Sequence, residues 1–273
     1  MSWTLLTNDD GMESPALPAF ARALVARNDV RIVVPDRERS WVGKAITRFE
    51  PIAVTDVVRH GVAMKACSGY PADAVQLGID GLFDTRPELV LSGINLGYNH
   101  GAGFLVSSGT VGAAIEGWVS GINSIAFSTG SNADDWNAWR AWALSDAALD
   151  SWDRLGGLCA VLTEDIAGSG VFDEADVVSV NVPFDATGDT ARRTTSIARV
   201  GYDRLFRNVG DGTFVHDFGG GIRQFGGLNG SDVAAAKDGV VSITPIRMPA
   251  AADLTAGIRA RLEDRHVDDP APQ

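Results

Sequence analysis

The chain has 273 residues, enough to bury a sizeable core, and its 45% hydrophobic and 21% charged content is that of a globular protein. A formal net charge of −12 excludes duplex nucleic acid as the main partner, because that balance repels a phosphate backbone. No apolar run reaches the roughly 20 residues that cross a bilayer, and no basic-then-apolar leader opens the chain, so a cytoplasmic setting without a membrane is expected.

The first third alternates strand and helix signals. Trp3–Leu6 is a short apolar strand running straight into Thr7-Asn8-Asp9-Asp10-Gly11. Ser14 and Pro15 form a helix start, as N-cap and first-turn proline. Leu17, Phe20, Ala21, Leu24 and Val25 then recur at helical spacing to about Asn28. Val30–Val34 is the β-branched run of a strand buried on both faces, and this β–α–β unit predicts a doubly wound parallel sheet. After a polar loop over 36–48, Ile52–Val58 and Val62–Ala66 flank His60-Gly61 as an inserted hairpin. A helix is predicted over Pro71–Phe83 and a core strand over Leu89–Leu91. SGINLGYNHGAGFLVSSGT follows as a glycine-rich loop, VGAAIEGWVSG as a helix and Ser124–Phe127 as a strand. Asp134–Leu155 predicts one helix with Trp136, Trp139, Trp142, Leu149 and Trp152 near one face, for core or interface packing. Val177–Val182, Ile197–Val200 and Val240–Thr244 predict later strands. Asp211-Gly212 predicts the turn of a projecting hairpin within 203–228. Ala251–Leu262 predicts a last helix, with a frayed tail from Glu263. Cys67 and Cys159 lie far apart, outside metal-binding spacings, and read as reduced, packed thiols.

In open α/β sheets, ligands bind beyond the carboxyl ends of the strands. Three polar clusters fall there: Asn8, Asp9 and Asp10; Asp36, Arg37, Arg39 and Ser40; Ser92, Gly93 and Asn95. Adjacent carboxylates at a strand end repel each other, so Asp9 and Asp10 either face water or face something positive. An all-oxygen donor set prefers Mg²⁺, Mn²⁺ or Ca²⁺ over structural zinc. Ser107-Ser108-Gly109-Thr110 opens a helix after a glycine-rich approach, and unpaired N–H groups with the positive dipole end suit phosphate there. Cation and phosphate together suggest metal-assisted phosphoester hydrolysis. The dinucleotide-binding glycine fingerprint and the P-loop are absent, and the Asp-x-Asp of haloacid-dehalogenase-like phosphatases fails because position 8 is Asn. A receiver domain would be about half this length.

Several motifs in order resemble the survival protein SurE family of 5′/3′-nucleotidases, also described as stationary-phase acid phosphatases. TNDDGMESPAL is similar to the family's N-terminal acid-pair motif and VVPDRERS to its second-strand end. LVLSGINLGYNHGAGFLVSSGTVGAAIEG follows its central signature nearly throughout, and GYPADAVQLG, VVSVNVP and GSDVAAAKDGVVSITPI resemble further segments. The resemblance implies a three-layer α/β/α, Rossmann-like fold with a mainly parallel sheet. Residues 1–250 would form the phosphatase domain, its core over 1–130, and 251–273 a C-terminal helix and tail. It implies one divalent cation per subunit held by Asp9, Asp10, Ser40 and Asn95, with Asp9, Asp10 and Asn95 catalytic. It implies a phosphate pocket of Asn8, Asn99, Ser107, Ser108, Gly109 and Thr110. Nucleoside monophosphates are the implied substrates, and a homodimer or homotetramer built through C-terminal elements the implied assembly. The chain departs from the family at Trp41, Gly43-Lys44, Tyr70 and Ala74. Trp41, beside Ser40, is the expected influence on selectivity, by stacking on a base or closing the pocket.

Overall fold

The computed structural model describes residues 2–132, 135–218, 221–249 and 251–263. Strands β1 (Trp3–Thr7) and β2 (Asp29–Pro35) run parallel, joined through helix α1 (Ala16–Val25). Strands β3 (Val54–Arg59) and β4 (Val62–Cys67) make the hairpin expected at His60-Gly61. It is no separate insertion, because β4 pairs parallel with β2 and the hairpin becomes the sheet edge. Helix α2 (Pro71–Asp80), strand β5 (Leu89–Leu96), helices α3 (Gly101–Ser107) and α4 (Gly109–Val119) and strand β6 (Asn123–Gly130) follow. Helices α5 (Trp136–Ala143) and α6 (Leu149–Gly168) then lead to strand β7 (Val177–Pro183). The C-terminal part holds strands β8 (Arg192–Thr194), β9 (Val200–Tyr202), β10 (Phe206–Gly210), β11 (Thr213–His216) and β12 (Ile222–Gln224). Helix α7 (Asp232–Lys237), strand β13 (Val241–Ile246) and helix α8 (Ala256–Glu263) complete it.

Nine of these strands share one sheet in the order β3-β4-β2-β1-β5-β6-β7-β13-β8, parallel except at β3–β4 and β7–β13. Alternate residues of each central strand bury on opposite faces. Leu6, Leu91, Ile125 and Val178 meet Phe20 and Leu24 of α1 and Trp152, Leu155 and Cys159 of α6. Trp3, Leu5, Val33 and Val90 meet Val75 and Ile79 of α2 and Ala113 of α4. Each such side chain contributes about 1.5–3 kcal/mol by leaving water. The result is the expected three-layer α/β/α fold. Among the described residues no helix is long and apolar enough to cross a membrane.

Several boundaries differ from expectation for identifiable reasons. Pro15, not Ser14, occupies the place before α1, and Ser14 acts through its backbone in the turn from Gly11. The helix ends at Val25 because the N–H groups of Arg27 and Asn28 both fold back on the Leu24 carbonyl. Strand β5 does not stop at Leu91 but runs through Ser92–Asn95, with its pairing to β6 shifted between Ser92 and Asn95. Gly93 makes that possible: at φ +130°, a Cβ there would lie 2.2 Å from the Phe127 carbonyl oxygen. Helix α3 forms inside the expected glycine-rich loop, its Gly103 carbonyl and Ser107 hydroxyl both within hydrogen-bond distance of the Tyr202 phenol. The tryptophan-rich helix is two helices. Trp152 is buried and donates its indole N–H to the Ala143 carbonyl at 2.7 Å, pinning the break, whereas Trp136 and Trp142 stay 41% exposed. The hairpin is confined to β10–β11, since β12 turns back to pair with β9. Pairing in the expected 197–200 strand begins only at Val200, and the last helix begins at Ala256. Asp134 and the expected frayed tail beyond Glu263 lie outside the described residues.

Candidate active site

Strand β1 lies between β2 and β5, so the strand order reverses at the β1/β5 crevice, where doubly wound sheets bind ligands. Asn8, Asp9 and Asp10 leave β1 at this crevice and Asn95 belongs to β5. Asn8 is buried and closes the turn through both ends of its amide, donating to the Gly11 carbonyl and accepting the Gly11 N–H, each at 3.1 Å. Gly11 has φ +83°, and a Cβ there would lie 2.5 Å from the Arg37 carbonyl carbon. The Arg39 N–H donates to the Asp9 carbonyl at 2.7 Å. These contacts clamp the loop carrying Ser40 against the acid pair.

Each acid has one oxygen tied down. Thr110 donates its hydroxyl to Asp9 Oδ1 at 2.6 Å. The direction of that bond is set behind it, because the Asn99 Nδ2 donates to Ser128 Oγ at 2.8 Å and to Thr110 Oγ1 at 3.4 Å. The Thr110 oxygen accepts from Asn99, so its proton goes to Asp9. Asp10 Oδ2 accepts the Leu96 N–H at 3.1 Å. Asp10 Oδ1 is thereby left for another partner, and Asp9 Oδ2 faces the first turn of α4, 2.9 Å from the Cβ position of Gly109. Asn95 donates Nδ2 to the Gly97 carbonyl at 2.5 Å, which leaves its amide oxygen as the remaining donor of an electron pair. Ser40, exposed, donates its hydroxyl to Glu38 Oε1 at 2.7 Å and keeps its lone pairs.

The electrostatics are unfavourable without a cation. Burial pushes the Asp9 carboxyl up to about 6, against the pull of the Thr110 hydroxyl. Burial, and then the neighbouring Asp9 charge, push Asp10 up to about 8. Among the described residues neither acid has an ion-pair partner. A cleft of about 310 Å³ opens on Asp10, walled by Arg37, Glu38, Leu96, Arg140 and Leu144.

Helix α4 points its first turn at Asp9. Ser108 is its N-cap, accepting the Val111 N–H at 3.1 Å. At Gly109 a Cβ would sit 2.8 Å from Asp9 Cβ and 2.9 Å from Asp9 Oδ2, so only glycine lets the helix approach this closely. Ser107 is placed differently: its hydroxyl donates to the Gly103 carbonyl at 3.0 Å and accepts from Tyr202 at 2.8 Å, which commits it to α3 and β9. Lys44 pairs with the buried Glu116 of α4. Trp41 joins a knot of rings with Phe104, Tyr202, His216 and Phe218, at centroid separations of 5.1–6.0 Å, that ties the Ser40 loop to α3 and the hairpin. The Arg39 guanidinium lies over the Tyr70 ring at 5.2 Å.

Sequence reasoning missed the layer behind these residues. Asn95, Ser128, Asn181 and Ser242 are register partners across β5, β6, β7 and β13, forming one buried polar row. Asn181 Oδ1 accepts the Asn99 N–H at 2.9 Å, so the chain Asn181–Asn99–Thr110 ends on Asp9. The signal was a lone Asn within VVSVNVP, an otherwise apolar central strand. Asn181→Ala is expected to lower kcat/KM about 10–100-fold, the usual cost of removing an orienting partner. It should destabilise the fold by about 1–3 kcal/mol through the orphaned Asn99 N–H. Steady-state kinetics and thermal melts check both.

The order reversal at β1/β5, with acids at the strand end and a helix N-terminus facing them, places the chain among the doubly wound α/β proteins that hold ligands at the sheet's carboxyl edge. The family model described as "Survival protein SurE" matches residues 4–206, and the chain belongs to that family. It is 33% identical over 265 residues to the 5′-nucleotidase SurE of Methanocella arvoryzae, covering 92% of each chain. It is 34% identical over 248 residues to the 5′-nucleotidase SurE of Gemmatimonas aurantiaca, covering 89% of this chain and 92% of that one. Among solved structures, the SurE protein from Aquifex aeolicus superposes with a TM-score of 0.74 at 29% identity, covering 96% of this chain and all of that one.

Proposed function

We propose that this chain is a divalent-metal-dependent phosphomonoesterase releasing phosphate from nucleoside 5′- or 3′-monophosphates. The observation that carries this reading is the acid pair itself: two adjacent carboxylates without ion-pair partners among the described residues, one oxygen of each tied down, at the positive end of α4. The names of the relatives, 5′-nucleotidase SurE, support the same activity.

The residues fit a hard cation. Among the described residues no three His, Cys, Asp or Glu side chains cluster, so carboxylates alone do not make the site. Asp9 Oδ2, Asp10 Oδ1, Ser40 Oγ and Asn95 Oδ1 would hold Mg²⁺ or Mn²⁺, with Ca²⁺ suited to the same donors. When bound, the cation supplies Lewis-acid polarisation of the phosphoryl group and acidification of water. The chain's own part is orientation. Thr110 and Asn99 fix which Asp9 oxygen is presented, and Asp9 or Asp10 accepts the proton of the attacking water. The first turn of α4 sets N–H groups and its dipole against the phosphoryl oxygens. Asn8 acts by holding the turn. The exposed apolar side chains Phe206, Val209, Phe214 and Val215 of the hairpin support self-association of the chain into a homodimer or homotetramer.

Phosphate release from AMP with Mn²⁺ or Mg²⁺, lost in EDTA and regained with excess metal, is the expected result. Saturable AMP binding without release would replace this reading with a nucleotide sensor.

A further inference from the structure

The short helix α5 touches both segments that carry the candidate cation ligands. At one end, the position of a Cβ on Gly97 would lie 3.6 Å from Asn95 Nδ2 and 3.7 Å from Trp136 Cη2, so the Asn95 amide and the Trp136 indole border the same glycine. Further along, Arg140 lies 3.3 Å from Glu38 Oε2, and Glu38 Oε1 takes the Ser40 hydroxyl proton. Arg140 and Leu144 also wall the cleft that opens on Asp10. The helix is therefore the outer wall of the site.

Trp136 is 41% exposed and, among the described residues, has one ring neighbour, Trp139, at 4.8 Å and 44°. An indole with a single ring partner keeps a face free for stacking. Trp41 differs: it is 39% exposed, but four rings surround it and hold it as an anchor for its loop. Trp136 thus offers an exposed aromatic surface bordering Gly97, on the helix whose Arg140 lines the cleft that opens on Asp10.

We propose that Trp136 is the stacking platform for the nucleobase of the leaving nucleoside, and that α5 is what selects nucleotides over phosphates lacking an aromatic group. This rests on the phosphomonoesterase reading above. Stacking recognises the π-face of any base, so the selection is for nucleotides as a class rather than for one base.

The test is the ratio of kcat/KM for AMP to that for ribose 5-phosphate. In Trp136→Leu it should fall about tenfold. Trp136→Phe should restore most of it, and Trp142→Leu, which trims an equally exposed indole of the same helix, should leave it unchanged. Calorimetric binding of AMP and ribose 5-phosphate in EDTA should show the same change in ratio. That arm decides the matter even if the wild type releases no phosphate, an outcome that would overturn the phosphatase reading and not this one. An unchanged ratio in folded Trp136→Leu, or an equal fall in Trp142→Leu, overturns the proposal.

Discussion

Replacing Asp9 or Asp10 by asparagine is expected to lower kcat/KM for nucleotide hydrolysis by at least about 10²–10³-fold while raising the stability of the metal-free protein at pH 8. The first effect follows from removing a charge that the reaction uses in a water-poor site. The second follows from burial. Both carboxyls hold their protons more tightly in the folded chain than at the ordinary value of 3.8. Their contribution to stability is therefore complete below about pH 3.8 and is lost as the pH rises through about 6 for Asp9 and about 8 for Asp10. At pH 8 the ionised pair costs several kcal/mol, and a neutral amide of the same shape removes part of that cost. A melt of Asp10→Asn in EDTA at pH 8 should lie a few degrees above wild type. The stabilisation by Mn²⁺ or Mg²⁺ in wild type should grow from pH 5 to pH 8, as protons stop competing for the oxygens. A lower melting temperature for Asp10→Asn in EDTA would mean that the carboxylates have a stabilising partner other than a cation.

Gly109→Ala should reverse the usual preference for alanine in helices. Propensity alone favours alanine by about 1 kcal/mol. Here the new methyl meets Asp9 Cβ at 2.8 Å, Asp9 Oδ2 at 2.9 Å and the Arg39 carbonyl oxygen at 3.1 Å. A short side chain held by Thr110 and a backbone carbonyl cannot swing aside, so the start of α4 or the turn after β1 must move. A loss of about 1–3 kcal/mol is expected from the overpacking. An activity loss of about 100-fold is expected from displacing Asp9 relative to the helix N-terminus. Gly157→Ala is the matched comparison: it lies in α6 with nothing within 4 Å of its Cβ position, and should gain about 0.5–1 kcal/mol. If Gly109→Ala behaves like Gly157→Ala, the close approach of α4 to Asp9 is not needed for activity.

Local pattern was enough for the elements whose cause is local. The strand before Asn8, the helix start at Ser108 and the turn at Asp211-Gly212 each follow from side chains acting on their own backbone. Elements with distant causes were harder to read. Helix α3 runs through glycines that disfavour helix and is held by Tyr202, 95 residues beyond Ser107. Asn95 read as part of a loop because Gly93 interrupts the apolar run, yet pairing with β6 carries the strand on to Leu96. Lys44 stood out only as a departure from family pattern, and its partner is Glu116, buried on another helix.

By itself the sequence determined the layers, the order of the elements and the oxygen-rich chemistry of the first strand's end, because periodicity and residue type are properties of each segment alone. Tertiary structure decided which oxygen each acid presents, since Thr110, Asn99, Asn181 and Leu96 reach Asp9 and Asp10 from other elements. It also set the surroundings of the two tryptophans. Trp41 is adjacent to Ser40 in sequence but packed among four rings, whereas Trp136, far along the chain, borders Gly97 together with Asn95. Adjacency along the chain constrains only the backbone, and what a ring can stack on depends on what the fold packs around it.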